Sequence, residues 1–250
     1  MTPSTQHVPN SADVMVVAGG TGNIGEGIVR AGLRSGATVV VPSRSRSRLD
    51  ELRRYVEEFG VDGAKLDTRV TDVSDFSQAR HLLAQVAADH GHVDLTVGSL
   101  GGYWSGPGLL QTEEGEFQRV LTDNLTAHYT FARHALSLMA AQGHGTHVLI
   151  AGPGNLLFNR HASLVTITGH AQLAMAQILD AEAREQGVRS YQLFVGHIQD
   201  RRRGGGGGPG VVTPDQVGER VLDLSAQRPK DTVHTLFAQA VPGFPLPTAE

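Results

Sequence analysis

Three glycines open the chemistry of this chain. Gly19, Gly22 and Gly25 fall three residues apart in VMVVAGGTGNIG (Val14 to Gly25), directly after an apolar run that reads as a strand and into residues that read as a helix. Glycine lets a turn be tight and lets phosphates approach bare backbone N–H groups, and the positive end of the helix adds a favourable field. With Thr21, Asn23 and Ile24 between the glycines, the turn is a candidate cradle for a dinucleotide pyrophosphate. The second apolar run ends in Val41-Pro42-Ser43-Arg44. A carboxylate there would accept from a ribose 2′-OH. Ser43 and Arg44 instead suit a 2′-phosphate, because a guanidinium pairs well with that anion. The expected cofactor is NADP(H) in preference to NAD(H). Arg46 and Arg48 read as solvated charges at a helix start.

Absent residue types narrow the chemistry further. Without cysteine there is no disulfide, zinc-thiolate site or thiol nucleophile. The twelve histidines form no H-E-x-x-H set, so no metal site is expected, and no G-x-S-x-G elbow marks a hydrolase. A net charge of −4 and a pI near 6.3 argue against nucleic-acid or anionic-membrane partners. No segment approaches the ~18 apolar residues of a membrane span. The N-terminus lacks the basic-then-apolar layout of a secretory signal, so a cytoplasmic location is expected. Residues 1–12 read as a loose polar tail.

The elements that must position these residues alternate. Apolar runs at Val14–Ala18, Thr38–Val41, Leu95–Gly98, Val148–Ala151 and Tyr191–Val195 predict strands buried on both faces. Between them lie helical periods: Ile24, Ile28 and Ala31 before Gly36; Leu49, Leu52, Val56 and Phe59 before Gly60; Phe76, Ala79, Leu83 and Val86 before Gly91. This pattern predicts an α/β fold, a doubly wound parallel sheet of Rossmann type in three α/β/α layers, as one domain over 13–250. Pro214 opens a last helix, and Thr232–Ala238 is a final strand. Arg201 to Arg203 followed by Gly204 to Gly208 is too costly in backbone entropy to pack. It reads as a mobile loop over about 197–213, either a lid over the ligand crevice or a solvated insertion.

On these residues the chain resembles the short-chain dehydrogenase/reductases from about Val14 to Phe237. The glycine turn is similar to that family's TGxxGxxG, with Ala18 in place of the threonine. Asp72-Val73 is similar to the Asp-Val that contacts adenine. Gly98-Ser99-Leu100-Gly101 stands where the family has Asn-Asn-Ala-Gly and keeps only the last glycine, which implies cofactor contacts at Ser99, Leu100 and Gly101. Val195-Gly196-His197-Ile198 is similar to the Pro-Gly-x-Ile/Val bordering the nicotinamide, which implies a cofactor contact at Ile198 and a substrate contact at His197.

The resemblance also implies a proton-donating tyrosine, a lysine one helical turn later, a serine that orients the substrate and a relay asparagine. Asn124 matches the asparagine. The serine position falls at Ala151 or Gly152, where the N–H of Gly152 or Gly154 replaces a side chain. The tyrosine and lysine positions fall at Thr166 and His170, anchored on Ala171-Gln172-Leu173; a shift of one would bring in Ile167 or Gly169. A threonine hydroxyl is far less acidic than a phenol, whereas histidine works as acid or base near pH 7. The expectation is therefore an oxidoreductase acting on a small or aromatic carbonyl or alcohol, with His170 as acid/base and Thr166 orienting. The alternatives are a non-redox enzyme (cyclase, isomerase or dehydratase) on the same scaffold, or a non-catalytic NADP(H)-binding sensor. The loop from Gly101 to Gly108 holds Tyr103 and the only tryptophan, Trp104. These either stack on substrate or plug a hydrophobic gap, and Tyr103 is the second choice of proton donor. Family members pair through two long helices, here about 113–142 and 163–186, which implies a homodimer or homotetramer.

Overall fold

A computed structural model describes residues 13–57, 65–199, 210–241 and 243–244. The expected N-terminal tail and the Arg201–Gly208 run lie outside the described residues. Seven parallel strands form one sheet: β1 (Val14–Ala18), β2 (Thr38–Ser43), β3 (Lys65–Val70), β4 (Leu95–Gly98), β5 (Gly145–Ala151), β6 (Val188–Val195) and β7 (Val233–Leu236), in the order β3-β2-β1-β4-β5-β6-β7. The chain runs outward from β1 to β3, then returns to β4 and builds the other half. The crevice outside the carboxyl ends of β1 and β4 is the switch point where such sheets bind ligands.

The helices are α1 (Asn23–Arg34), α2 (Arg46–Glu57), α3 (Phe76–His90), α4 (Glu114–Leu121), α5 (Ala127–Gln142), α6 (Ser163–Arg184) and α7 (Pro214–Gln227). Strand alternation divides the core into two layers. Met15 and Val17 pack with Ile28, Leu33, Val217 and Val221 on the α1/α7 side. Val14, Val16 and Ala18 pack with Leu82, Val86, Phe131 and Met139 on the α3/α5 side. Start and stop signals are explicit. Asp75 caps α3 by accepting from the Ser77 and Gln78 N–H groups, and Thr213 with Gln216 makes a capping box before Pro214 on α7.

Three differences from the sequence expectation have physical causes. β3 is an edge strand with half-exposed polar residues, Lys65, Asp67 and Arg69 among them, so it carries no apolar run. β5 and β6 begin earlier than their apolar runs, because Thr146, His147, Arg189 and Ser190 are polar yet buried. The helix expected over about 113–142 is interrupted by a π-helical turn at Thr122–Thr126, which carries Asn124.

Candidate functional site

Two adjoining cavities, of about 340 and 660 Å³, lie along the crevice and share Gly22, Ser99, Leu100, Gly101, Gly102, Tyr103 and Asn124. The glycine turn stands at their junction. Gly19 has φ +83°, and a Cβ there would lie 2.0 Å from the Ser99 carbonyl oxygen, so β1 and β4 approach as closely as bare backbone allows. The first bond of α1 runs from the Glu26 N–H to the Gly22 carbonyl. The amides of 23–25 precede it and have no intrahelical acceptor. Asn23 donates from Nδ2 to the Gln199 carbonyl at 2.9 Å, while its Oδ1 is buried without a partner. This cradle of backbone N–H donors fits a dinucleotide pyrophosphate; the orphaned amide oxygen only accepts, so it suits a hydroxyl donor and not the phosphates. Gly22, Asn23 and Ile24 line the cavities. Thr21 and Gly25 do not. A Cβ on Gly25 would meet the Gly19 carbonyl at 2.0 Å, so this glycine serves the packing of helix against turn.

The smaller cavity extends to Ser43 and Arg44 after β2 and is joined by Arg48 and Arg119. Arg44 lies 3.9 Å and Arg119 3.7 Å from the Asp123 carboxylate, long contacts between exposed groups. Arg48 thus lines the site rather than standing as a merely solvated charge. Arg119 is a residue that sequence reasoning missed; nothing in its local pattern marks it. Asp72 and Val73 line the same cavity. The Asp72 carboxylate also accepts from the backbone N–H and hydroxyl of Ser74, which fixes the turn after β3.

The larger cavity is built round neutral amides. Asn124 Oδ1 accepts from the Gly102 N–H at 2.9 Å, and its Nδ2 donates to the Val120 carbonyl. Gly101 has φ +79°, and a Cβ there would lie 2.1 Å from Asn124 Oδ1. Gln172, which is buried, donates from Nε2 to the Asn124 carbonyl, and its Oε1 faces Asn155 Nδ2 at 3.4 Å. A π-helical turn is a frequent device at functional sites, and here it presents Asn124 to both neighbours. Gly152, Gly154, Asn155, His197 and Ile198 complete the wall.

The proton-handling pair expected from sequence is not brought to this cleft. Thr166 is buried and donates to the Leu157 carbonyl at 2.9 Å. His170 is exposed, with Nδ1 on the Thr166 carbonyl and its ring stacked on Phe158 at 5.8 Å. Neither residue lines either cavity. The α6 side chain that does is Gln172, two positions beyond His170, and its i−4 neighbour is Thr168. The Thr168 hydroxyl is turned back onto the Leu164 and Val165 carbonyls. The reason is helical phase: two residues rotate a side chain by more than half a turn. Gln172 stood inside the Ala-Gln-Leu anchor, so the signal was present; Asn155 carried none. Trp104 also differs from a stacking platform. It is buried with Val120, Ala162, Leu164 and Val165, and its Nε1–H donates to Glu116 at 2.7 Å, so it acts chiefly as a plug under the cavity. Tyr103 is 74% exposed and lines both cavities. No group of histidines and carboxylates able to hold a metal occurs among the described residues.

Comparison with known proteins agrees with this geometry. A family model described as short chain dehydrogenase matches residues 13–201. Dehydrogenase/reductase SDR family member 7B of Danio rerio is 26% identical over 245 residues, covering 90% of this chain and 78% of that protein. Dehydrogenase/reductase SDR family member 1 of Mus musculus is 30% identical over 203 residues, covering 76% of this chain and 62% of its own length. Among solved structures, a short-chain type dehydrogenase/reductase from Mycobacterium ulcerans superposes with a TM-score of 0.81 at 20% identity, covering 89% and 87% of the two chains. An alcohol dehydrogenase from the archaeon Thermococcus sibiricus, complexed with 5-hydroxy-NADP, gives 0.76 at 22% identity over 95% and 99%.

Proposed function

Because the chain belongs to the short-chain dehydrogenase family of oxidoreductases, we propose that it binds NADP(H) and interconverts a small or aromatic carbonyl compound and its alcohol. The observation that carries this reading is the continuous crevice from Arg44, Arg48 and Arg119, past the bare amides of α1, to the amide cluster of Asn124, Gln172 and Asn155. The arginines take the 2′-phosphate, and the first amides of α1 take the pyrophosphate. The cofactor, when bound, supplies the hydride. Asn155 and the N–H groups of Gly152 and Gly154 orient the substrate oxygen. The proton then needs a carrier. His197 and Tyr103 are the side chains of the larger cavity that can release one, and an imidazole does so near neutral pH. His197 follows β6, its carbonyl held by the Val212 N–H at 2.8 Å, and is the donor this cleft offers.

Titration with NADPH and NADH, followed by NADPH consumption across a carbonyl panel, tests the proposal. NADPH binding with turnover that falls about 100-fold in His197→Ala, at unchanged NADPH affinity, supports it. Binding of neither nucleotide sinks it. A second reading has its own support. Gln172 and Thr168 supply neither the cation nor the phenol of the family's acid/base pair, which favours cofactor binding without net redox chemistry, in a non-redox enzyme or a sensor. Product formed while NADPH is undiminished, or NADPH bound with no turnover on any carbonyl, selects it.

A further inference from the structure

β4 ends at Gly98, and the missing side chain leaves room for two rings. A Cβ at 98 would lie 3.1 Å from His128 Nδ1 and 3.8 Å from His147 Cε1. His128 on α5 and His147 on β5 are each 1% exposed. Each ring spends one nitrogen. His128 Nε2 lies 3.1 Å from the Leu100 carbonyl, so it carries the hydrogen, because a carbonyl only accepts. His147 Nδ1 lies 2.9 Å from the Thr96 hydroxyl. The two remaining nitrogens, His128 Nδ1 and His147 Nε2, are buried with no direct partner. Protonation of His128 at Nε2 makes its Nδ1 a bare acceptor. A Thr96 hydroxyl donating to His147 Nδ1 makes His147 Nε2 a donor. The orphans are thus complementary and sit on rings that flank one glycine. Leaving both unmade costs roughly 1–3 kcal/mol each.

We infer that Thr96, His147, His128 and the Leu100 carbonyl form one hydrogen-bonded chain, closed between the rings through a single buried water. His128 thereby serves as a positioning residue for loop 99–103. Leu100 lines both cavities, so the end of the chain holds the loop that separates the two halves of the site. The effect on NADPH rests on the cofactor reading above; the hydrogen-bonded chain itself does not.

The test has two arms on the full chain. Long-range ¹H–¹⁵N spectra of the free protein report tautomers. The expected result is a hydrogen on Nε2 of both rings, with His128 Nδ1 shifted by an accepted bond. A hydrogen on His128 Nδ1, or a free-imine shift there, overturns the chain. The second arm measures thermal midpoint, NADPH affinity and amide exchange of residues 99–103 in His128→Phe and His128→Gln. Phenylalanine keeps the ring and removes both polar ends. It is expected to lower the midpoint by a few degrees, because the Leu100 carbonyl and His147 Nε2 lose their partner, while weakening NADPH about tenfold and speeding exchange in the loop beyond that of the rest of the chain. Glutamine still donates to Leu100 and is expected to stay within about threefold. Wild-type affinity and loop exchange in His128→Phe overturn the positioning role. If His128→Phe does not fold, His128→Leu removes the same two polar ends with a smaller side chain and is read identically. If the wild type binds no NADPH, the cofactor reading fails, and tautomers and loop exchange still decide this inference.

Discussion

Gln172 brings a neutral amide to the cleft, and that limits what α6 can do there. It donates to the Asn124 carbonyl but brings no charge to lower a neighbouring pKa. In the proposed reaction the proton would come from elsewhere in the cavity, and the exposed His170 ring on Phe158 is not placed to provide it. His170→Ala is therefore expected to leave NADPH affinity and any turnover within about twofold, measured by calorimetry and steady-state kinetics. A large loss of turnover would return His170 to the mechanism. In the proposed NADP(H) reading, Arg44 would carry the cofactor preference. Arg44→Ala is expected to weaken NADPH about tenfold, near 1.4 kcal/mol, with NADH little changed. Equal effects on both nucleotides would remove the 2′-phosphate from its role.

At the scale of elements, the site depends on close backbone approach and on buried polar groups between strands. Gly101→Ala would force a Cβ into Asn124 Oδ1 in a left-handed conformation, so it is expected to destabilise the fold by about 2 kcal/mol or more and to displace the loop. A denaturation curve and an NADPH titration check both effects. Behind that loop, burial lowers the pKa of His128 to about 4, the Leu100 carbonyl opposing only partly. Burial, then the nearby His128, lowers that of His147 to about 3. Both folded values lie below the ordinary histidine value, so the unfolded chain binds the extra protons. The stability these rings contribute is complete above about pH 6.5 and is lost as pH falls toward 4 and 3. From pH 7 to pH 5 the loss is expected to be on the order of 2 kcal/mol per ring, read from urea midpoints, and His128→Phe should lessen it. At the far end of α6, Asp180 ties three elements together. Burial alone would raise its pKa, but the Ser190 N–H, Arg184, Arg189 and Thr232 together hold the carboxylate below its usual range. Asp180→Ala would strand Arg189 in the interior and is expected to cost about 3–5 kcal/mol in thermal or chemical unfolding.

For the whole molecule, one surface invites a second copy. α5 and α6 present Tyr129, Ala140, Ala171, Ala174, Met175 and Ile178 round a shallow cavity, and Ile178 is 58% exposed. Small residues let helices approach closely, and an apolar face of this kind is characteristic of an interface. The proposed homodimer pairs through it. Light scattering is expected to show a dimer or tetramer, and Ile178→Glu is expected to dissociate it; a monomeric wild type would overturn the assignment. No helix among the described residues is long and apolar enough to cross a membrane.

Composition, periodicity and the glycine turn were enough to read the architecture. Short continuous apolar runs and period-3.6 faces follow from local backbone geometry, which short stretches of sequence encode. The crevice and its glycine turn were legible for the same reason, since Gly19, Gly22 and Arg44 lie within a few residues of a strand end. β3 escaped because an edge strand needs no apolar run. The amide-lined end was not legible. Which of Thr166, Thr168, His170 and Gln172 faces the cleft depends on the rotation of α6 against the sheet, and a two-residue difference reverses the answer. Asn155, Arg119 and the His128–His147 pair meet the site from distant points in the chain. Their placement is fixed by packing between elements, a property of the tertiary structure that no local pattern carries.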